Sequence, residues 1–317
     1  MPTDCIVCGA PTQVQWPDLY DDRYGSPGRI AVTACPACGH KRADTNMTAA
    51  EIADLYTSRY PRAAIDLTSF TPHHEVHGLG AWLDGAKASA FRWVPKKVSI
   101  LDIGCGAGET LAYHAARGCQ AVGVEADANV QRVAERFGLD IRPGLFDPSA
   151  FAPEAFDYVT MDQVIEHVAE PSAFLASVAR ALKPGGVVVL STPNSESWTA
   201  RLLGRRWMNW HVPYHLHHFT RRSMVLTAAQ AGLQMVSIRT LTNSDWLRLQ
   251  VMHLLSRPQP GEISTLWDPG RSSRPRRRGL DLMARGIARL RLLHPIVRAA
   301  DALGVGDNLL VILRKAG

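Results

Sequence analysis

The chain has 317 residues, 46% hydrophobic and 20% charged, a balance that fits a folded globular protein and excludes a disordered or fibrous one. Its formal charge of +6 is mild for this length and does not by itself mark a nucleic-acid binder. No window is long and apolar enough for a membrane-spanning helix. The first residues are broken by Cys5, Cys8 and Gly9 and do not read as a secretory leader, so a cytoplasmic protein is expected.

Four of the six cysteines fall into two knuckles, Cys5-x-x-Cys8-Gly9 and Cys35-x-x-Cys38-Gly39. A C-x-x-C turn aims two thiolates at one centre, and the glycine relieves the tight backbone behind it. Two such turns complete a tetrahedral set for Zn²⁺, whereas disulfides are disfavoured in a reducing cytoplasm. Four thiolates close the coordination sphere, so the expected zinc is structural. Residues 1–45 read as a zinc ribbon, with a short strand at 29–33 leading into the second knuckle.

Residues 46–97 read as a helical lead-in. Apolar spacing predicts a helix over 49–60, with Thr48 as N-cap and Glu51 at the third helical position. A second helix is predicted over 78–93, stopped before Pro95.

From residue 98 the pattern changes to alternating strand and helix. Strands are expected at 98–104, 121–127, 157–164 and 186–192, and helices at 109–118, 129–138 and 172–182, the first two closed by Gly118 and Gly138. A helix over 221–232 and a strand over 233–240 follow. This alternation implies an α/β fold, a doubly wound parallel sheet covered on both faces, with its core at 98–240. Residues 241–304 leave the repeat as a helical insertion. They hold a helical stretch near 244–256, a Pro/Arg/Gly/Ser-rich run at 256–278 expected to be mobile, and a helix over 280–294 stopped by Pro295. Residues 305–317 supply the last strand, at 308–315.

The chemistry-bearing motif follows the first core strand: Asp102-Ile103-Gly104-Cys105-Gly106-Ala107-Gly108. Glycines there let the backbone turn tightly and approach a ligand at the carboxyl end of the sheet. Glu125 ends the second strand, one helix and one strand later, where a carboxylate can accept hydrogen bonds from ribose hydroxyls. The loop is G-x-G-x-G preceded by an acid, unlike the G-x-G-x-x-G of nicotinamide enzymes. With residues 156–168 (FDYVTMDQVIEHV) and 182–194 (LKPGGVVVLSTPN), it resembles the class I S-adenosylmethionine-dependent methyltransferases, whose Rossmann-like fold is then expected over 98–240 and the last strand.

The resemblance implies roles residue by residue. Gly104, Gly106 and Gly108 would line the methionine part of S-adenosylmethionine, Asp102 would hold its amino end, and Glu125 would bind the ribose. Asp162 and Gln163 would face the sulfonium, and LKPGG would be the turn before the fifth strand. Many relatives carry an acid one residue after Gly144; here that position is Leu145, and Asp147 is the candidate near adenine.

Residues 207–220, WMNWHVPYHLHHFT, hold four of the twelve histidines. The stretch lies where this fold closes over the methyl acceptor, and it resembles the P-x-H-L-x-x-F-[ST] segment of enzymes acting in polysaccharide, lipid and secondary-metabolite pathways. Thr220 is expected to cap the next helix. Methyl transfer to a hydroxyl or carbon acid needs a proton removed, which histidine suits. His215, His211 and His167 are the candidate bases; the competing reading is that they hold backbone or pack on Trp207 and Trp210. Quinone-biosynthesis O-methyltransferases, which the chain also resembles, carry E-x-x-E-H implicated in metal binding. Gln163 replaces the first acid here, ahead of Glu166 and His167, which weakens the case for a hard cation.

The expected acceptor is a small molecule or a glycan or lipid-linked intermediate, methylated on O or C. RNA is the alternative acceptor, with the ribbon and the arginine run at 271–278 (RSSRPRRR) as its contacts. The same run could meet anionic lipid headgroups at a membrane surface or be a solvated loop. A non-catalytic cofactor-binding scaffold is the remaining alternative, and the intact glycine and acid motifs argue against it.

Overall fold

A computed structural model describes residues 4–45, 51, 70–267, 286 and 293–317. The helix expected over 49–60, all but the last residues of that over 280–294, and the arginine run lie outside the described residues.

The N-terminal module is an antiparallel meander of β1 (Gln13–Leu19), β2 (Ile30–Ala34) and β3 (Lys41–Asp44). A short helix α1 (Gly78–Asp84) follows. The single helix predicted over 78–93 is broken. Gly85 adopts φ +66°, its N–H caps the carbonyls of Ala81 and Trp82, and single 3₁₀ turns continue to Trp93. A Cβ at Gly85 would run into the Thr242 carbonyl, so close packing on the neighbouring segment fixes both the break and the glycine.

The core then unfolds in order: β4 (Ser99–Ile103), α2 (Glu109–Ala116), β5 (Gln120–Glu125), α3 (Gln131–Phe137), β6 (Ile141–Pro143), β7 (Phe156–Asp162), α4 (Pro171–Ala181) and β8 (Leu182–Pro193). After it come α5 (Trp198–Leu203), β9 (His217–His218), α6 (Arg221–Gln230), β10 (Leu233–Thr240), α7 (Asp245–Leu255), α8 (His294–Ala302) and β11 (Asn308–Lys315). Seven strands form one sheet in the order β10-β11-β8-β7-β4-β5-β6. β4 to β8 are parallel, and β11 runs antiparallel to both β8 and β10. Successive residues of β11 and β8 go to opposite faces. Val188, Leu190, Leu309, Val311 and Leu313 enter the main core, while Val189 and Leu310 pack on the other face beside Ala90. Burial on both faces explains the unbroken apolar runs.

Three details differ from the sequence reading. β7 ends at Asp162, because Gln163 turns to φ +56°. LKPGG is a bulge inside β8, since pairing with β7 slips between Phe156/Leu182 and Tyr158/Val187. Pro295 lies in the first turn of α8, where no amide hydrogen is needed, and α8 runs on to Ala302.

The chain winds from β4 to β6 on one side and continues with β7 and β8 on the other. The carboxyl ends of β4 and β7 therefore flank the topological switch point, where such sheets bind ligands.

Candidate functional site

Three carboxyls gather at that switch point. Asp102, near the end of β4, is buried; its Oδ1 accepts from Thr160 Oγ1 at 2.6 Å and its Oδ2 from Thr110 Oγ1. Burial pushes its pKa up to about 7 against those hydroxyl bonds, and Asp162 and Glu125 push the same way. Glu125, ending β5, accepts from Gly106 N at 2.8 Å and from Asp127 N at 3.3 Å. Asp162, ending β7, accepts from Ala90 N at 2.7 Å and Ser191 Oγ at 2.6 Å, so the lead-in folds over it. Gln163 donates to Ser191 Oγ and Asn308 Oδ1, both at 3.0 Å, which turns its amide toward β8 and β11.

Gly104, Gly106 and Gly108 all have positive φ, and a Cβ on Gly104 would come within 2.6 Å of Val164 Cγ2. An open backbone edge under converging acids suits a cationic cofactor with a ribose. Asp147 is exposed and caps the turn at Pro148–Ala150, accepting from Ser149 N and Oγ.

The three candidate bases come together on the far side of the β7 end. The rings of His167 and His215 are 4.7 Å apart, and those of His211 and His215 4.8 Å. His167 Nδ1 lies 2.8 Å from Tyr214 O, and His215 Nδ1 2.9 Å from Asn209 O. A carbonyl only accepts, so both Nδ1 atoms carry the hydrogen and each Nε2 carries the lone pair. Each Nε2 points at Glu166 Oε1, at 3.9 Å for His167 and 4.0 Å for His215, too far for a hydrogen bond.

Glu166 is fully buried. Its Oε2 accepts from Thr192 Oγ1 at 2.9 Å, while Oε1 has no hydrogen-bond partner among the described residues. Burial pushes its pKa up to about 8. Burial holds His211 and His215 well below the ordinary imidazole range; Arg23 beside His211, and His167 then Arg23 beside His215, add to it. Both are neutral at neutral pH and able to accept a proton.

Glu166, His167 and His215 also offer one ligand atom each within 4.8 Å of one another. Two imidazoles and one carboxylate suit a borderline first-row ion better than the oxygen-only sets of Mg²⁺ or Ca²⁺.

The other two histidines of the stretch do structural work. His217 Nε2 donates to Ala169 O at 3.1 Å, so its Nδ1 accepts from His40 Nε2 at 3.0 Å. His218 Nε2 donates to Trp210 O at 3.0 Å, and its ring packs 4.8 Å from the Trp210 ring.

In the N-terminal module Cys5 and Cys38 Sγ are 3.6 Å apart, Cys8 and Cys35 Sγ 3.4 Å, and all four lie within 4.8 Å. A tetrahedron with Zn–S bonds of ~2.3 Å has edges of roughly 3.8 Å. The knuckles match: Gly9 N donates to Cys5 O and Gly39 N to Cys35 O, both at 2.8 Å.

The module is welded to the core. β9 adds to β3 as a fourth strand, with Arg42 opposite His217 and Lys41 opposite His218. Thr220 Oγ1 donates to Cys38 O at 3.0 Å while also capping α6. Leu19, Val32 and Ala43 bury against Trp207, Trp210 and Val212. Sequence reasoning missed His40 and Tyr24, which stands edge-on to His211 and Tyr214 with ring centroids 5.7 Å and 5.4 Å away. Tyr24 sits in a turn-rich DDRYGS stretch, and no spacing rule ties residues 21–26 to residues 207–220.

Comparison with known proteins agrees with this geometry. A family model described as a methyltransferase domain matches residues 56–238. The chain is 36% identical over 145 residues to the ubiquinone biosynthesis O-methyltransferase of Maricaulis maris, covering 42% of this chain and 57% of that enzyme. It is 30% identical over 185 residues to the enzyme of that name from Burkholderia pseudomallei, covering 54% of this chain and 77% of the relative. The match thus spans little more than half of the first relative's length. The fold is shared with phosphoethanolamine N-methyltransferase 2 of Haemonchus contortus, solved with S-adenosyl-L-methionine: TM-score 0.52, 18% identity, 87% of this chain and 62% of that one. The switch-point acids, the glycine loop and a family match across more than half of the sequence place this chain in the class I S-adenosylmethionine-dependent methyltransferases.

Proposed function

We propose that the chain transfers the methyl group of S-adenosylmethionine to a hydroxyl of a small aromatic acceptor, free or carried on a lipid. The observation that carries this reading is the fixed tautomer of His215, whose Nε2 lone pair faces an enclosed carboxyl beside the switch point. Gly104, Gly106, Gly108, Asp102 and Glu125 hold the cofactor, and Asp162 adds negative charge near its sulfonium. The sulfonium is already a good leaving group, so the protein aligns the acceptor in line with the methyl and removes its proton. His215 Nε2 takes that proton, with His211 and His167 beside it. The names of the relatives favour an oxygen acceptor, and the rings of Tyr24, Tyr214 and Trp210 favour an aromatic one.

A second reading is favoured by Glu166 Oε1, which has no hydrogen-bond partner among the described residues. In it Glu166, His167 and His215 hold a divalent ion that would orient the acceptor oxygen.

The four cysteines hold a structural zinc in this proposal; elemental analysis of purified protein then gives about one zinc per chain, the count of one four-thiolate site. A protein with no zinc overturns that assignment.

RNA as acceptor loses support, because the ribbon spends β3 and its apolar face on packing against the histidine stretch. No helix among the described residues is long and apolar enough to cross a membrane. The test is methyl-labelled S-adenosylmethionine incubated with the protein and host lysate, followed by fractionation. Label in small molecules or lipids is expected, and label in RNA overturns the reading.

A further inference from the structure

The loop between β1 and β2 is built to a fixed shape. Asp21 closes it: Oδ1 accepts from the N–H groups of Arg23 and Tyr24, and Oδ2 from that of Ser26, all at 2.9 Å. Outside, the loop is fastened to α7 and the segment after it. His253 Nε2 meets Asp22 Oδ2 at 3.1 Å, the Arg23 guanidinium lies 4.3 Å from the Trp267 ring centre, and Ser264 N donates to Arg23 O at 2.8 Å. Inside, it touches the histidine stretch. Arg23 Nη2 donates to Met208 O at 2.7 Å, and Ser26 Oγ lies 3.4 Å from the Tyr214 hydroxyl. The Tyr24 ring covers both His211 and Tyr214, which themselves stack at 4.7 Å, and all three are buried.

We propose that this loop of the four-cysteine module is the outer wall of the acceptor site, and that Tyr24 is the residue that selects an aromatic acceptor. The inference rests on the histidine cluster being the acceptor site. Its basis is enclosure. His211 is buried on the core side by its own segment and on the outer side by Tyr24, so an acceptor reaching its Nε2, beside His215, must slide against the Tyr24 ring or take its place. An aromatic ring that replaces one edge-to-face partner of Tyr214 and His211 keeps that contact; an aliphatic one loses it. The module's task is then substrate recognition, carried from the knuckles through β3 and β9 to the loop. It does not reach the cofactor motifs at the ends of β4 and β5.

Two measurements test this. In the first, catechol and trans-1,2-cyclohexanediol are compared as acceptors for the parent, Tyr24→Ala and Tyr24→Phe. Tyr24→Ala is expected to raise KM for catechol at least tenfold, with kcat falling less than threefold, and to shrink the preference for catechol. Tyr24→Phe, which keeps the ring, restores both, and the Kd for S-adenosylmethionine is the same in all three. A KM within twofold of the parent in Tyr24→Ala, or an equal loss of cofactor binding, overturns the proposal.

The second measurement needs no turnover. Diethylpyrocarbonate labelling mapped by mass spectrometry should find His211 protected in the parent and modified in Tyr24→Ala. Equal protection in both overturns the wall. A parent that methylates neither diol removes the acceptor reading, and the labelling then decides the wall alone.

Discussion

Replacing His215 with asparagine is expected to lower kcat by 10²–10⁴-fold, the usual contribution of a positioned general base, with the Kd for S-adenosylmethionine unchanged. The substitution is chosen for its geometry. His215 Nδ1–H donates to Asn209 O at 2.9 Å, and an asparagine amide can make the same bond from nearly the same place. What is lost is Nε2, which faces Glu166. A variant that folds, binds cofactor and turns over within threefold of the parent would show that the ring only holds backbone. His211→Asn is expected to cost less, because its ring stacks on Tyr214 and it is not one of the residues gathered at Glu166. Chelation separates base from metal. If His215 is the base, EDTA treatment that leaves the four-cysteine zinc in place by elemental analysis leaves turnover unchanged. If Glu166, His167 and His215 hold an ion, turnover falls with EDTA and returns with Zn²⁺ or Co²⁺ more readily than with Mg²⁺.

Much of the core was legible because its signals are local. Strands buried on both faces read as apolar runs, and helices read from their period and closing glycines. The acids at strand ends are placed by the same repeat that places the strands. The cysteine knuckles were legible for the same reason, since each turn aims its own pair of thiolates. What could not be read depends on segments far apart in sequence. Gly85 breaks a helix because of Thr242, and Pro184 and Gly185 form a bulge because of where β7 starts. The ribbon reads as a module of its own, yet its third strand pairs with two histidines of the 207–220 segment. That pairing sorts the four histidines of the stretch: His217 and His218 pair with the module, while His215 lies near Glu166 with His211 packed on it. Sequence singled out His211 and His215 as bases but gave His217 and His218 no role. Glu166 was visible as part of an E-H pair, but its complete burial and its empty Oε1 were not.

That burial carries a second large effect. Glu166→Gln is expected to stabilise the protein in mildly alkaline buffer and to inactivate it. The sign follows from the direction of the shift. The folded value, about 8, lies above the ordinary 4.5, so the folded chain keeps a proton that the unfolded chain releases. The stability tied to Glu166 is therefore fully present below pH 4.5 and is lost as pH rises through about 8. Each unit of that window is worth ~1.4 kcal/mol at most, so the charge-bearing side chain costs on the order of a few kcal/mol at pH 8. Glutamine has no proton to lose and should raise Tm by roughly 5 °C or more there. The gain should shrink with falling pH and vanish near 4.5, measured by thermal unfolding with chelator present so that no bound ion fixes the charge. A flat difference between the two proteins across this range would mean that the carboxyl is hydrated in solution and that the cluster is open to water. If instead the gain follows pH and turnover is lost with it, the buried acid is a stability cost retained for the proton chemistry of the neighbouring histidines.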